Sequence, residues 1–162
     1  MTTQNRTRII GATTVGVIGN AVLGSAATDT TSWWYRTLRK PAFQPPGWVF
    51  PVAWTALYAD MAAVVGQSLA ELHEQGDHAE YEDLKKALAA NVALNAGWSL
   101  LFFRGQRPGL ATIEAAALAA SSADLTRRCL AVNPRRGAWL APYAAWTAFA
   151  TVLTGTIWYL NR

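Results

Sequence analysis

The chain has 162 residues, of which 52% are hydrophobic and 15% charged, with a net charge of +4 and a mean hydropathy of +0.11. A soluble domain carries about 25% charged residues, so this composition is too poor in charge to clothe a water-facing surface and fits a lipid bilayer instead. The single Cys129 excludes an internal disulfide framework and a thiolate metal cluster, and the scattered positive charge lacks the aromatic-interleaved stripe of a nucleic-acid binder, leaving lipid headgroups as the expected partner.

Residues 9–28 carry no charge and hold Gly11, Gly16, Gly19 and Gly24, small residues that let helix backbones approach closely in lipid; a first transmembrane helix is expected over 9–27. Residues 28–46 then form a loop, because Pro41, Pro45 and Pro46 forbid a continuous helix, while Trp33, Trp34 and Tyr35 suit a membrane–water boundary. A second helix is expected over 47–69, interrupted only by Asp60, with Pro51 in its first turns. The acidic stretch that follows, containing His73 and His78, reads as a hydrophilic loop with at most a short surface helix or a helix extension. Helices over 85–103, 108–130 and 137–160 complete the pattern, with Pro108 opening the fourth and an uncharged run forming the fifth. The fold expected is therefore all-α, a single five-helix transmembrane domain over 1–162. Arg6, Arg8, Lys85, Lys86 and the Arg127, Arg128, Arg135, Arg136 cluster slightly outnumber the cations of the other side, a small bias toward a cytoplasmic N-terminus that does not by itself orient the bundle.

Two helices carry aromatic seams. Trp54, Tyr58 and Met61 recur at helical spacing, as do Trp139, Tyr143, Trp146, Ala150, Leu153 and Ile157. Such seams either pack a bundle core or wall a cavity for a planar apolar ligand. Asn91, Asn95 and Trp98 share a face of the third helix, where the amides must bond across helices or to a ligand. Asp60 and Glu114 are intramembrane carboxylates, with Asp124 nearer a helix end. His73 and His78, outside the spans, offer no axial haem ligand, and no metal site, phosphate loop or nucleophile triad stands in the chain.

Three stretches, WYRTLRKPAFQPPGWVFPVAWTALY (34–58), NVALNAGWSLLFF (91–103) and LAPYAAWTAFATVL (140–153), resemble the tryptophan-rich sensory protein and translocator protein family, TspO/MBR, also known as peripheral benzodiazepine receptors. The first is the most specific, matching at Trp34, Tyr35, Leu38, Lys40, Pro41, Pro45, Pro46, Trp48, Val49, Phe50, Trp54, Leu57 and Tyr58. The resemblance implies a multi-pass membrane protein, often dimeric, whose pocket takes porphyrins or haem as ligands, sterols in animal members, and planar drugs, with no obligatory cofactor. Carried over by position, Trp54, Asn95, Trp98, Trp146, Ala150 and Leu153 line that pocket, joined by Tyr58 of the second-helix seam, and the loop bearing Trp34, Phe43, Pro45 and Pro46 closes it. Phe43 stands where members often have Trp, Thr154 follows Leu153 where many have Asn, and Gly155 replaces the tyrosine of the animal cholesterol motif. A bacterial cell membrane is the expected location. The functions expected are tetrapyrrole sensing or transport, or light- and oxygen-dependent porphyrin breakdown with Trp54 and Trp146 as candidate electron donors, or a structural subunit whose homodimer face uses Ala12, Gly16, Ala89, Ala93 and Gly97.

Overall fold

In the structure, a computed structural model describing residues 3–162, five helices of 20 residues or more account for most of the chain. They are α1 (Thr3–Ala27), α3 (Val49–Gln75), α4 (His78–Ser99), α5 (Pro108–Val132) and α7 (Ala141–Leu160); the short α2 (Trp33–Thr37) lies in the loop after α1, and α6 (Pro134–Gly137) makes the corner before α7. No strand occurs among the described residues.

The stretch read as a hydrophilic loop is mostly helix. α3 continues to Gln75 and α4 starts at His78, which leaves only Gly76 and Asp77 between them. Gly76 takes φ 75°, a left-handed cap whose N–H donates to the Leu72 and His73 carbonyls, and the Asp77 carboxylate accepts from the Glu80 N–H at 3.1 Å. Two good caps back to back let charged helix ends project into water without unsatisfied backbone. Both histidines therefore stand on helix ends rather than in a loop. The third helix also ends differently from expectation: Leu100–Arg104 widen into a π turn, with the Gly105 N–H donating to the Leu100 carbonyl at 2.7 Å, before Gln106 at φ 52° breaks the helix.

The outside of the bundle is apolar and part of its inside is polar. Val15, Ile18, Val22, Leu23, Val52, Ile113 and Val152 are exposed, whereas Asn91, Ser68, Ser122 and Thr147 are fully buried. That inversion suits a lipid solvent, in which outward aliphatic side chains cost nothing and polar groups must be satisfied within the protein. α1 and α3 each contain an 18-residue window apolar enough to cross a membrane, with mean hydropathy 1.6 and 1.4. Trp33, Trp48, Trp139 and Trp158, half of the eight tryptophans, are exposed, which is where amphipathic indoles sit at a bilayer boundary.

The interior divides in two. Met61, Val64, Val65, Leu69, Leu84, Leu125, Leu140 and Tyr143 fill the end nearest the α3–α4 turn. Phe102, Ala111, Leu153 and Ile157, with Trp34, Tyr35, Phe50, Trp98 and Phe103 around them, form the other end.

Candidate functional site

At the aromatic end the helices do not close up. A cavity of about 500 Å³ lies between α1, α3, α4 and α7 beneath the α1–α3 loop. Its walls come from Gly24 and Ser25 of α1, Phe50, Trp54 and Tyr58 of α3, Asn95 and Trp98 of α4, Phe102 and Phe103 of the π turn, and Leu153, Thr154 and Ile157 of α7. Residues at i and i+4 share a helix face, so Trp98 and Phe102 stack, with centroids 5.6 Å apart at 15°, and Trp54 stacks on Tyr58 at 5.3 Å and 28°. The wider π turn brings Phe103 to the same wall, 5.0 Å from Phe102. Flat rings on two helices thus face a common space.

A polar relay forms the floor. The Tyr58 hydroxyl donates to Asn95 Oδ1 at 2.7 Å, the Asn95 amide to the Tyr143 hydroxyl at 3.5 Å, and that hydroxyl to Asn91 Oδ1 at 2.7 Å. The Asn91 amide then donates to Ser121 and Ser122, both at 3.1 Å, so the relay ties α3, α4, α7 and α5 together. Both amides thus bond across helices. Of the relay, Tyr58 and Asn95 reach the cavity wall and Asn91 does not. Thr154 accepts the Trp98 indole N–H at 3.3 Å and so fixes that ring.

The structure brings Trp54, Tyr58, Asn95, Trp98 and Leu153 to the cavity, but it sets Trp146 and Ala150 apart from its lining. The cavity meets α7 along its C-terminal half, at Leu153, Thr154 and Ile157, and Trp146 lies two turns earlier. There its ring meets the edge of Trp54 at 6.4 Å and 87°, and Phe50 at 6.0 Å, so Trp146 supports the wall from behind. Ala150 lies one turn before Thr154 and accepts that hydroxyl on its carbonyl at 2.7 Å.

The loop covers the cavity with different residues from those expected. Tyr35, Gln44 and Gly47 line it, whereas Trp34 packs edge-on against Phe102 at 5.6 Å and Phe43 against Phe149 at 6.3 Å; Pro45 and Pro46 shape the backbone beside the lining. Burial raises the Tyr35 phenol above its ordinary pKa, and Lys40 sits over the Tyr35 ring at 4.2 Å. Two clasps hold the loop. At its start, Asp29 accepts from the Thr31 hydroxyl at 2.7 Å and from the Thr31 and Ser32 N–H groups, which holds its carboxyl below the usual range. In its middle, Asn161 at the end of α7 accepts from the Arg39 N–H at 2.8 Å and donates to the Arg39 carbonyl at 2.9 Å, a side chain acting as a one-residue ladder.

Of the small residues read as a dimer face, Gly97 turns inward, since a Cβ there would lie 3.1 Å from Glu114 Oε1. Glu114 itself has both carboxylate oxygens buried without a hydrogen-bond partner among the described residues, as has Asp60 Oδ2. No group of three or more His, Cys, Asp or Glu among the described residues is placed to hold a metal ion.

Sequence comparison places the chain among known proteins. Residues 11–160 match the model described as the TspO/MBR family. The tryptophan-rich protein TspO of Chlorobaculum tepidum is 37% identical over 132 residues, 80% of each chain. The translocator protein of Homo sapiens is 32% identical over 130 residues, 80% of this chain and 75% of the relative, and the tryptophan-rich protein TspO of Archaeoglobus fulgidus 33% over 153 residues, 93% and 95%.

Proposed function

The chain belongs to the TspO/MBR family of helical membrane proteins, and from that premise we propose that it is a membrane receptor or carrier for a planar tetrapyrrole, a porphyrin or haem, held in the aromatic cavity. The observation that carries the reading is the cavity itself: about 500 Å³ walled by Trp54, Trp98, Phe50, Phe102 and Phe103, with polar groups set among the rings, Tyr58 and Asn95 on one side and Gln44, Thr55, Ser99 and Thr154 on others. Small-molecule sites span roughly 300–1,000 Å³, mostly apolar with a few fixed polar groups. Ring faces give a macrocycle close dispersion contact over its whole plane. The Lys40 ammonium, one ring away behind Tyr35, suits the carboxylates that porphyrins carry at their edge. Ligand entry requires the loop to lift, so the two clasps set how long a ligand stays.

A titration tests this. Porphyrin added to the detergent-solubilised protein is expected to quench tryptophan fluorescence saturably, and a folded Trp54→Ala, Trp98→Ala variant is expected to lose the saturable part. Equal quenching in both proteins would refute the cavity as the site.

A second reading, light-dependent porphyrin breakdown, is favoured by the Trp54–Trp146 contact at 6.4 Å. An indole at the cavity wall donates an electron to the excited macrocycle, dioxygen adds to the macrocycle radical anion while the hole rests on Trp146 behind it, and return of that electron to the indole leaves the macrocycle carrying both oxygens, so that porphyrin and dioxygen give a ring-opened product with the tryptophans restored. Porphyrin absorbance is then expected to decay faster under light and oxygen with protein than without, and more slowly with Trp146→Phe. Decay equal to that in detergent alone removes this reading and leaves the first intact.

A further inference from the structure

Charge is spread unevenly between the two ends of the molecule. At the α3–α4 turn end, eight cations stand among seven carboxylates, and six of the eight are in ion pairs, such as Arg6–Glu74 at 2.9 Å and Arg128–Asp124 at 2.7 Å. At the end covered by the loop stand Arg36, Arg39, Lys40, Arg104, Arg107 and Arg162, and none of these six is in an ion pair among the described residues. Asp29 is the one carboxylic side chain there, and it accepts from Thr31 and Ser32 of its own loop. Cations gathered without counter-charges repel one another and set up a positive potential that reaches into solvent.

The six surround the cavity mouth. The Lys40 ammonium lies 4.2 Å over the ring of Tyr35, which lines the cavity. Arg36 follows Tyr35 in the chain, and Arg104 follows Phe103, another lining residue. The Arg39 backbone is tied to Asn161, the neighbour of Arg162, and Arg107 stands at the start of α5. All but Lys40 are exposed. We propose that these cations act as an electrostatic funnel for the cavity, drawing anionic planar ligands to the loop before it lifts. The proposal rests on the reading of the cavity as a tetrapyrrole site and extends it from what holds the ligand to what brings it. None of the six lines the cavity itself, so their effect falls on arrival rather than on the bound ligand. A raised local ligand concentration speeds entry even when the loop must lift first. Arg36, Arg39 and Lys40 sit on the segment that an arriving ligand must pass, which favours the ligand over bilayer headgroups as the anion they meet.

The test uses the whole protein in a non-ionic detergent, with stopped-flow quenching of tryptophan fluorescence by protoporphyrin IX and by its dimethyl ester, which has the same ring and no carboxylate. Association of the free acid is expected to slow about tenfold between 0.01 M and 1 M salt, as the screening length falls from about 30 Å to about 3 Å, with dissociation changing less than about twofold. The ester is expected to associate at one slow rate throughout. Arg36→Gln, Arg107→Gln and Arg162→Gln are each expected to slow association of the acid about twofold at low salt, and the triple variant about eightfold, with no difference from the native protein at about 1 M. Arg135→Gln, at the opposite end, is expected to change nothing. Equal salt dependence for acid and ester, or a triple variant that associates as fast as the native protein, would overturn the proposal. So would a triple variant altered only in dissociation, because the cations would then hold the ligand instead of steering it. Absence of saturable quenching by both forms overturns the tetrapyrrole reading and the funnel with it, whereas saturable binding without salt dependence overturns the funnel alone.

Discussion

The two ends of the bundle are built from the same helices and differ in how their interiors are filled. Near the α3–α4 turn, side chains such as Met61, Val65, Leu125 and Leu140 interdigitate and are wholly buried. Beneath the loop, Trp54, Trp98, Phe102 and Phe103 pair by stacking and by edge contact, and rigid plates arranged that way leave a gap between the four helices. The first end is filled with aliphatic side chains and the second is left hollow, and the Tyr58–Asn95–Tyr143–Asn91 relay is the boundary between them.

The sharpest way to break the comparison is Leu125→Ala. It opens a hole in the filled end and is expected to lower stability by about 2–5 kcal/mol, seen as a fall in unfolding temperature, with porphyrin affinity of the surviving folded protein unchanged. Asn91→Leu attacks the boundary. Tyr143, Ser121 and Ser122 lose a partner beside a fully buried position, an expected loss of about 1–3 kcal/mol measured in the same way. At the hollow end the balance reverses: Trp54→Ala is expected to weaken porphyrin binding about tenfold with little change in stability, and Trp146→Ala, one ring back, about threefold or less. A Trp146 effect as large as that of Trp54 would mean that the ligand reaches deeper than the cavity wall.

Smaller effects fall on the loop. Asn161→Ala removes both bonds to Arg39 and is expected to raise the porphyrin dissociation rate by up to about tenfold while leaving association unchanged, which stopped-flow mixing resolves. The smallest effect concerns pH. Because the Asp29 carboxyl is held below its usual range, the order it gives the loop is fully present above about pH 4 and is lost as pH falls through the lowered value. Dissociation is therefore expected to quicken as the pH drops below about 4 in the native protein and to stay level over that range in Asp29→Asn.

The helical membrane fold was legible because it follows from quantities that the chain carries along its length: uncharged runs long enough to span, prolines at helix starts, and tryptophans at boundaries. Trp54, Tyr58, Asn95, Trp98 and Leu153 were legible as wall residues because helical spacing and the motif agree on them. The continuation of α3 and α4 toward a two-residue turn was obscured, since charge marks water contact and says nothing about whether the backbone there is coiled or helical.

By itself, then, the sequence determined the solvent, the helices and the family, because hydropathy, caps and motif residues act locally and need no partner to be read. Tertiary structure alone decided which aromatic rings face the void. Trp54 and Trp146 carry identical side chains on equally periodic seams, but only the crossing of α3 and α7 puts one at the wall and the other behind it. It also decided that Phe103 joins the wall, through a π turn whose extra residue no periodicity announces, and that Gly97 meets Glu114 while Gly16 meets nothing. These are distances between segments far apart in the chain, and packing fixes them.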